Sequence, residues 1–572
     1  SSSSSSSSQA GQNYSSELLM LAAGHHVDGM ISPKPGIRSK TLGYKCMKGQ
    51  LHEIVGNTWT MKIPLPEAPW RGQEAIPEQL KPYILQSLKH DVKSLTDSWD
   101  IYNYTKQAAR KARLALIADE LGEEDILNEA LTNLYNSLTP WLTGTKIDNQ
   151  LVYDSVWGGI VTSAGLSNPL TDFGNGFYND HHFQYGYLIY AAAVLLKYDY
   201  KDFSSEYGDK IMAIAMDYAN YPATGDESKS HVPGMNVMGN SPLFPIARHK
   251  DFWDYHSWAS GIFVMDDSKS QESSSEAVNA YYGIALLGDA TQDPKLRQWG
   301  RLLLGMELNG AHRYWHMPTW RSVYPDDHFR SHRMVGMVSA TRAAYFTWFG
   351  DLPEYVHCVN MMPFTPITPL LLPRDYIKQE YPVLATSLSR PDPPIKEAWR
   401  SLVYMALAII DPPKAWEKLQ TVTELDNGLS LTNALYFAAT MARGPKGEKG
   451  GQDIPAPTKK LDPPLNSWQC QGYPLCATSF NGTAWSCCFN PGGCCTANPI
   501  PCCKGPTKAP TQNPTAPPLA PATPGALPAP GTPGTPATPG AAPAPGAPAA
   551  PAAPAAPVVA PGGAAPQAPP PP

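Results

Sequence analysis

The chain has 572 residues, enough for more than one domain, and sets 44 Lys and Arg against 50 Asp and Glu for a net charge of −6. With no basic run it offers a phosphate backbone no electrostatic footprint, which excludes nucleic acid as a partner. Nowhere does it approach the roughly 18 consecutive apolar residues of a membrane-spanning helix, so no span is expected.

Taken in chain order, residues 1–16 are Ser-rich and expected to be disordered. The sequence opens on serines rather than Met, which reads as a processed form or fragment whose export signal lies elsewhere. Residues 17–90 contain "RSKTLGYKCMKGQLHEIVGNTWTMKIPLP", alternating polar and apolar residues punctuated by Gly and Pro. They are expected to form a small mixed α/β domain with a few short strands. From about Leu80 the period becomes helical. "YTKQAARKARLALIADELG" places Ala108, Ala112, Leu114, Ala115 and Leu121 on one stripe that Gly122 ends, and "EDILNEALTNLYNSLTPWLTG" follows as an antiparallel partner. The rhythm recurs in "HFQYGYLIYAAAVLLKYD", "DKIMAIAMDYANY", "SSSEAVNAYYGIALLGDA", "KLRQWGRLLLGMELNGAHRYW", "VGMVSATRAAYFTWFG", "IKEAWRSLVYMALAIID" and "LTNALYFAATMARG". No fixed sequence period links these segments, so a solenoid of identical repeats is not expected.

Residues 91–445 therefore read as one helical domain. Residues 446–466 form a linker, and 467–504 a module dense in Cys, with adjacent pairs at Cys487-Cys488, Cys494-Cys495 and Cys502-Cys503. The module lacks the CxxC and His spacing of a zinc site and reads as a disulfide staple from an oxidising compartment. Residues 505–572 are a Pro/Ala tail, polyproline-like and disordered. Sequons at Asn13, Asn103 and Asn481 agree with a secreted, wall-associated glycoprotein.

Paired helices with long loops suit either a closed helical toroid or an open array. The 28 Tyr and 15 Trp, concentrated in loops beside acidic residues, favour the toroid, with a carbohydrate cleft at one end. Flat rings take a sugar's axial C–H groups while its hydroxyls find polar partners.

Two acidic segments stand out. In "FGNGFYNDHHFQYGYLIYAAA" Asp180 stands at a helix start beside Tyr178 and Tyr185, and crowding by Phe177, Phe183 and Tyr187 is expected to raise its proton affinity. In "DFWDYHSWASGIFVMDDSKSQESSSEAVNAYYGIALLG" Glu272 and Glu276 are four apart, on one helix face if the helix includes both. Their mutual repulsion raises one proton affinity. The plainer reading puts both on a solvated helix start capped by Ser273–Ser275. Glycoside hydrolysis needs carboxyls on opposite sides of a sugar, which Asp180 and the Glu pair could supply. A metal site would draw on Asp180, His181, His182 and His256, but adjacent His point about 100° apart on a helix and HExxH is absent, so no metal and no cofactor is expected. Asp97, Asp100, Asp154, Asp251 and Asp254 read as caps or turn residues.

The ordered motifs "YNDHHFQYGY", "HSWASGIF", "QESSSEAVNAYYGIALLG", "MVGMVSATRAAYFTWFG" and "NMMPFTPITP", with "GHHVDGM" near the start, resemble glycoside hydrolase family 81, the endo-1,3-β-glucanases, from about His25 to Arg443. The resemblance implies a mainly α fold, an (α/α)6 barrel preceded by a small mixed domain and an N-terminal β-sandwich, the last without a counterpart in these residues. It also implies inverting, metal-free hydrolysis of internal β-1,3-glucosidic bonds, with β-1,3-glucan as partner and a monomer as the working form. Carried over by motif, Asp180 is the general acid, Glu272 the general base and Glu276 a second essential Glu. Tyr178, His182, Tyr185, His256, Trp258 and Tyr281 line the cleft. Gln184 stands where the family usually has His, and Tyr255 where Gly commonly precedes His-Ser-Trp. Trp468, Tyr473 and Trp485 make the Cys-rich module either a glucan-binding appendage or a spacer. A glucan-binding protein with little turnover is the competing function; two opposed acids favour the enzyme.

Overall fold

The computed structural model describes residues 19–33, 43–56, 58–146, 148–222, 241–262, 267–441 and 454. The Ser-rich start, the Cys-rich module, the Pro/Ala tail and the sequons Asn13 and Asn481 lie outside the described residues.

The fold is mainly α. The helices that organise it are α1 (Lys81–Asp91), α2 (Ile101–Leu121), α3 (Glu124–Thr143), α4 (His181–Lys197), α5 (Phe203–Ala219), α6 (Ser274–Ala290), α7 (Pro294–Tyr314), α8 (Pro353–Cys358), α9 (Arg374–Leu384), α10 (Glu397–Ala408), α11 (Pro412–Leu419) and α12 (Leu431–Thr440). Local chemistry sets their ends. The Asp100 carboxylate accepts the Asn103 N–H at 2.8 Å to start α2. Gly122 and Gly144, left-handed at φ 74° and 72°, end α2 and α3 where a Cβ would be strained. Asp293 caps α7 with Pro294 in the first turn, where a missing N–H costs nothing.

Helix α2 packs on α4 and α4 on α6, and α12 returns to pack on α2; α3, α5 and α7 lie against this inner run. The buried residues run almost continuously from Tyr104 to Ala118 in α2, from His181 to Leu196 in α4 and from Ser274 to Gly288 in α6. Helices without a wet face belong inside a helical layer. The α2 stripe thus understates its burial, because Lys106, Arg110, Lys111 and Arg113 are buried too. Lys106 pairs with Asp426 at 2.8 Å, and Arg110 donates to the Asn427 carbonyl. The α4–α6 contact is close because residue 186 is Gly: a Cβ there would lie 2.7 Å from that of Ala280.

The sequence expectation fails at "VGMVSATRAAYFTWFG". The segment is not a helix: Met337–Ser339 and Ala343–Ala344 are strands of a three-stranded antiparallel sheet completed by Ser270–Gln271. Its apolar run is buried by sheet pairing, and short apolar runs do not reveal their period. The Pro-flanked α8, α9 and α11 went unforeseen because they are short or carry a proline, as α9 carries Pro382. Asn103 sits in α2 with its amide held by Asp100 and Asn427.

Toward the N-terminus, Leu19–Ala22, Gly49–Val55 and Tyr44–Cys46 form an antiparallel sheet with Gly49–Val55 central. The adjoining His25 and His26 both donate Nε2–H to the Trp253 carbonyl, at 2.7 and 2.8 Å. Burial holds them neutral, lowering His25 to about 3 and His26 to about 4. This seats the N-terminal segment on the loop of residues 251–258. Among the described residues no helix is long and apolar enough to cross a membrane.

Candidate active site

Two loops meet where Asp180 stands. Tyr178 and Asp180 adopt left-handed backbone, φ 62° and 60°, just before α4. The Asp180 N–H donates to the Ala259 carbonyl, the Gly261 N–H to Asn179 Oδ1, and the Ile262 N–H to the Phe177 carbonyl. Gly261 permits this seam, since a Cβ would lie 2.0 Å from the Phe177 carbonyl oxygen. The result is a strained but over-determined turn, the usual setting of a functional side chain.

The Asp180 carboxyl has no hydrogen-bond partner among the described residues. Most of its surface is covered, and protein crowds the carboxyl itself. Burial, reinforced by the charges of Glu272 and Glu276, drives its proton affinity well above the ordinary carboxylate range. The rise follows from burial and from the two Glu together.

The Glu pair is arranged differently from the one-face expectation. Helix α6 begins at Ser274 with Ser273 as its cap, so Glu272 lies outside the helix at the end of the Ser270–Gln271 strand. The three serines are capping and anchoring groups: Ser273 and Ser275 donate to the Val359 carbonyl and Ser274 to Asn360 Oδ1, tying "QESSSEA" to "VNMMP". Neither Glu is solvated as at an open helix start. Glu276 is buried, and the Tyr102 and Tyr187 hydroxyls both donate to its Oε1 at 2.8 Å. Burial raises its proton affinity, while Lys106, Ser273 and the two hydroxyls oppose the rise. Glu272 is half-buried. The Trp348 N–H donates to its Oε2 at 3.1 Å, and the Trp315 indole donates to its backbone carbonyl at 3.0 Å. Burial pushes its carboxyl up to about 7, Trp348 counters this and the charge of Glu276 adds to it.

The structure therefore brings Asp180, Glu272 and Glu276 within each other's electrostatic reach. Tyr178 and Trp258 border a neighbouring cavity of about 260 Å³ with Arg248, Asp251, Ile262 and Lys269. The remaining expected cleft residues are buried. The Tyr185 hydroxyl donates to the Ile160 carbonyl at 2.8 Å, and Tyr281 bonds Ser257 Oγ. His256 accepts from Lys48 Nζ at 2.9 Å, and His182 Nε2 bonds Gln271 Oε1 at 2.9 Å. Burial holds both imidazoles neutral, His182 at about 3 and His256 well below its ordinary value. His181 is held between Asp217 and the Asn175 carbonyl. Among the described residues no three His, Cys, Asp or Glu are grouped as metal ligands.

Both departures from the family pattern have structural counterparts. The Gln184 side chain bridges Asn175 and the Asp172 carbonyl. Tyr255 has φ 65°, the left-handed conformation that favours Gly, and its ring packs at a tilt against His25, with centroids 4.5 Å apart. Asp100, Asp154 and Asp251 cap turns as expected, whereas Asp254 pairs with the buried Lys48. Sequence reasoning missed Trp348, Tyr102 and Glu307. Trp348 lies within a quoted motif, exposes 55% of its surface and donates from its backbone, which no side-chain pattern announces.

The model of the glycosyl hydrolase family 81 C-terminal domain matches residues 73–435. A glucan endo-1,3-beta-D-glucosidase of Glycine max is 32% identical over 432 residues, covering 74% of this chain and 62% of that protein. The primary septum glucan endo-1,3-beta-D-glucosidase of Schizosaccharomyces pombe is 30% identical over 447 residues, covering 74% and 41%. A solved glycoside hydrolase family 81 structure from Clostridium thermocellum, a mutant form, superposes with a TM-score of 0.58 at 24% identity, covering 74% of this chain and 55% of that one. The chain spans about half the length of the curated relatives it matches. It belongs to glycosyl hydrolase family 81, whose C-terminal domain it carries at residues 73–435.

Proposed function

We propose that this protein hydrolyses internal β-1,3-glucosidic bonds of laminarin- or callose-type glucans with inversion. The observation that carries the reading is the split among the acids. Among the described residues the Asp180 carboxyl has no hydrogen-bond partner, and it is pushed strongly toward its protonated form, whereas Glu272 sits at about 7 with a backbone N–H on one oxygen. Asp180 gives its proton to the glycosidic oxygen as the C1–O bond breaks. Glu272, ionised, takes a proton from the water whose oxygen forms the new bond to C1 from the opposite face. Exchange with solvent then returns each carboxyl to its starting state. Glu276, fixed by Tyr102 and Tyr187, supports the base side and repels its neighbours' charges.

In this reading the helices form an (α/α)6 barrel, α2, α4, α6, α8, α10 and α12 inside and the others outside, supported by the return of α12 onto α2. The boundaries 17–90, 91–445, 446–466, 467–504 and 505–572 belong to the proposal, as does a secreted, wall-associated monomer. The exposed Trp348 ring, next to Glu272, supplies a sugar platform. Tyr185, His182, His256 and Tyr281 act on the cleft from behind, by positioning. The test is reducing-end release from laminarin. Bound laminarin without product would leave a glucan-binding protein and overturn the hydrolase reading.

A further inference from the structure

Glu307 lies on α7, belongs to none of the motifs that carry the family resemblance, and is 1% exposed. Each of its oxygens accepts two hydrogen bonds. Oε1 accepts from the Ser257 N–H at 3.0 Å and from Gln271 Nε2 at 3.1 Å. Oε2 accepts from Lys250 Nζ at 2.6 Å and from Ser257 Oγ at 2.9 Å. The carboxylate's acceptor capacity is thus filled.

Its donors come from residues 250, 257 and 271, which adjoin the proposed chemistry. Gln271 precedes Glu272. Because the Gln271 amide nitrogen is committed to Glu307, its oxygen faces His182 and accepts the Nε2–H, two residues from Asp180. Ser257 is two residues from Ala259, whose carbonyl takes the Asp180 N–H. Since Ser257 Oγ donates to Glu307, the Tyr281 hydroxyl donates to Ser257 in turn. Lys250 spends its other protons on the Tyr255 and Leu303 carbonyls.

We infer that Glu307 is a positioning residue that holds the acid-bearing turn and the base-bearing strand in register from beneath the cleft. The inference rests on the glucan-hydrolase reading for the roles of Asp180 and Glu272. A buried carboxylate meeting four donors fixes all of them together, and misplacing a reacting group by about 1 Å costs on the order of 100-fold in rate. The plainer role is counter-ion to the buried Lys250, which would hold the fold without aligning anything.

The test measures kcat, KM and thermal midpoint on laminarin for wild type, Glu307→Gln, Glu307→Gln/Lys250→Met and Gln271→Ala. The double variant removes both charges and leaves no ion stranded. It is expected to keep a midpoint within a few degrees of wild type while kcat falls about 100-fold and KM moves less than about threefold. Gln271→Ala keeps the ion pair and is expected to lose about 10-fold in kcat. Wild-type kcat in the double variant overturns the inference and leaves Glu307 a counter-ion. If the double variant does not fold, wild-type kcat in Gln271→Ala overturns it instead. Crystal structures of these variants decide without turnover: displaced His182 and Glu272 side chains support the inference, and unmoved ones overturn it. Wild type silent on laminarin defeats the hydrolase reading, and the crystallographic comparison still decides whether Glu307 holds the register.

Discussion

The Trp348 N–H donates to Glu272 Oε2 at 3.1 Å, so a backbone donor on one loop steadies the proposed base on another. The contact depends on the small sheet that joins Ser270–Gln271 to Met337–Ser339 and Ala343–Ala344, just before the turn that carries Trp348. The Trp348 ring and the Trp348 N–H therefore have separable roles. Trp348→Ala deletes the ring and keeps the N–H. Steady-state kinetics on laminarin are expected to show KM raised about 10-fold, as the loss of an aromatic platform worth about 1 kcal/mol or more implies, with kcat within about threefold. A kcat collapse with unchanged KM would contradict the division.

Glu276 depends on two phenol hydroxyls. Tyr102→Phe and Tyr187→Phe each remove one donor from Oε1, at a cost of about 1.5–3 kcal/mol for a bond to a charged group. Each variant is expected to lose about 10-fold or more in kcat/KM. The double variant should lose less than the product of the singles, because both hydroxyls serve one oxygen. Purely additive losses would mean the hydroxyls act on different groups.

The pH dependence has a definite sign. Glu272 sits at about 7 in the folded protein against 4.5 ordinarily, so the fold binds its proton more tightly than the unfolded chain does. The favourable contribution is complete below about pH 4.5 and is lost as pH rises through about 7. Glu272→Gln never ionises, and its thermal midpoint is expected to exceed that of wild type by more at pH 8 than at pH 5. The acid limb of wild-type kcat/KM falls over the same region as the base is protonated, with apparent values belonging to the coupled acids. An equal midpoint difference at both pH values would remove Glu272 from its buried setting.

The α4–α6 contact limits side-chain size. Gly186→Ala puts a Cβ 2.7 Å from that of Ala280 and 2.8 Å from its Cα. Overpacking of this kind costs about 1–3 kcal/mol, measurable by denaturant titration. An unchanged midpoint concentration would show that the two helices can part without penalty.

How much of this was legible in the sequence follows from where each signal lives. Amphipathic period and Gly punctuation sufficed for α2 and α3, because Gly122 and Gly144 mark left-handed caps. The same rules misread "VGMVSATRAAYFTWFG", whose short apolar run is buried by sheet partners distant in sequence. Asp180 stands out as an acid among aromatics, and Glu272 by its four-residue spacing from Glu276. That Glu272 lies before the helix cap, and so off the face of Glu276, depends on Ser273 being the cap rather than a helical residue. Glu307 was invisible because one acid in an amphipathic helix looks like a solvated charge until its donors arrive from residues 250, 257 and 271.

Removing either opposed carboxyl bears on the division of roles. Asp180→Asn and Glu272→Gln are each expected to lower kcat by about 100-fold or more, since positioned acid–base groups contribute on the order of 10²–10⁴, while laminarin binding is retained. Full activity in either variant would strip that residue of its role.

The most direct measurement is the anomeric form of the first product, followed by proton NMR as wild type acts on laminarin. Attack by a Glu272-activated water while Asp180 protonates the leaving oxygen predicts the α-anomer first, with the β-anomer growing only by mutarotation. A β-anomer appearing first would contradict the single-displacement account.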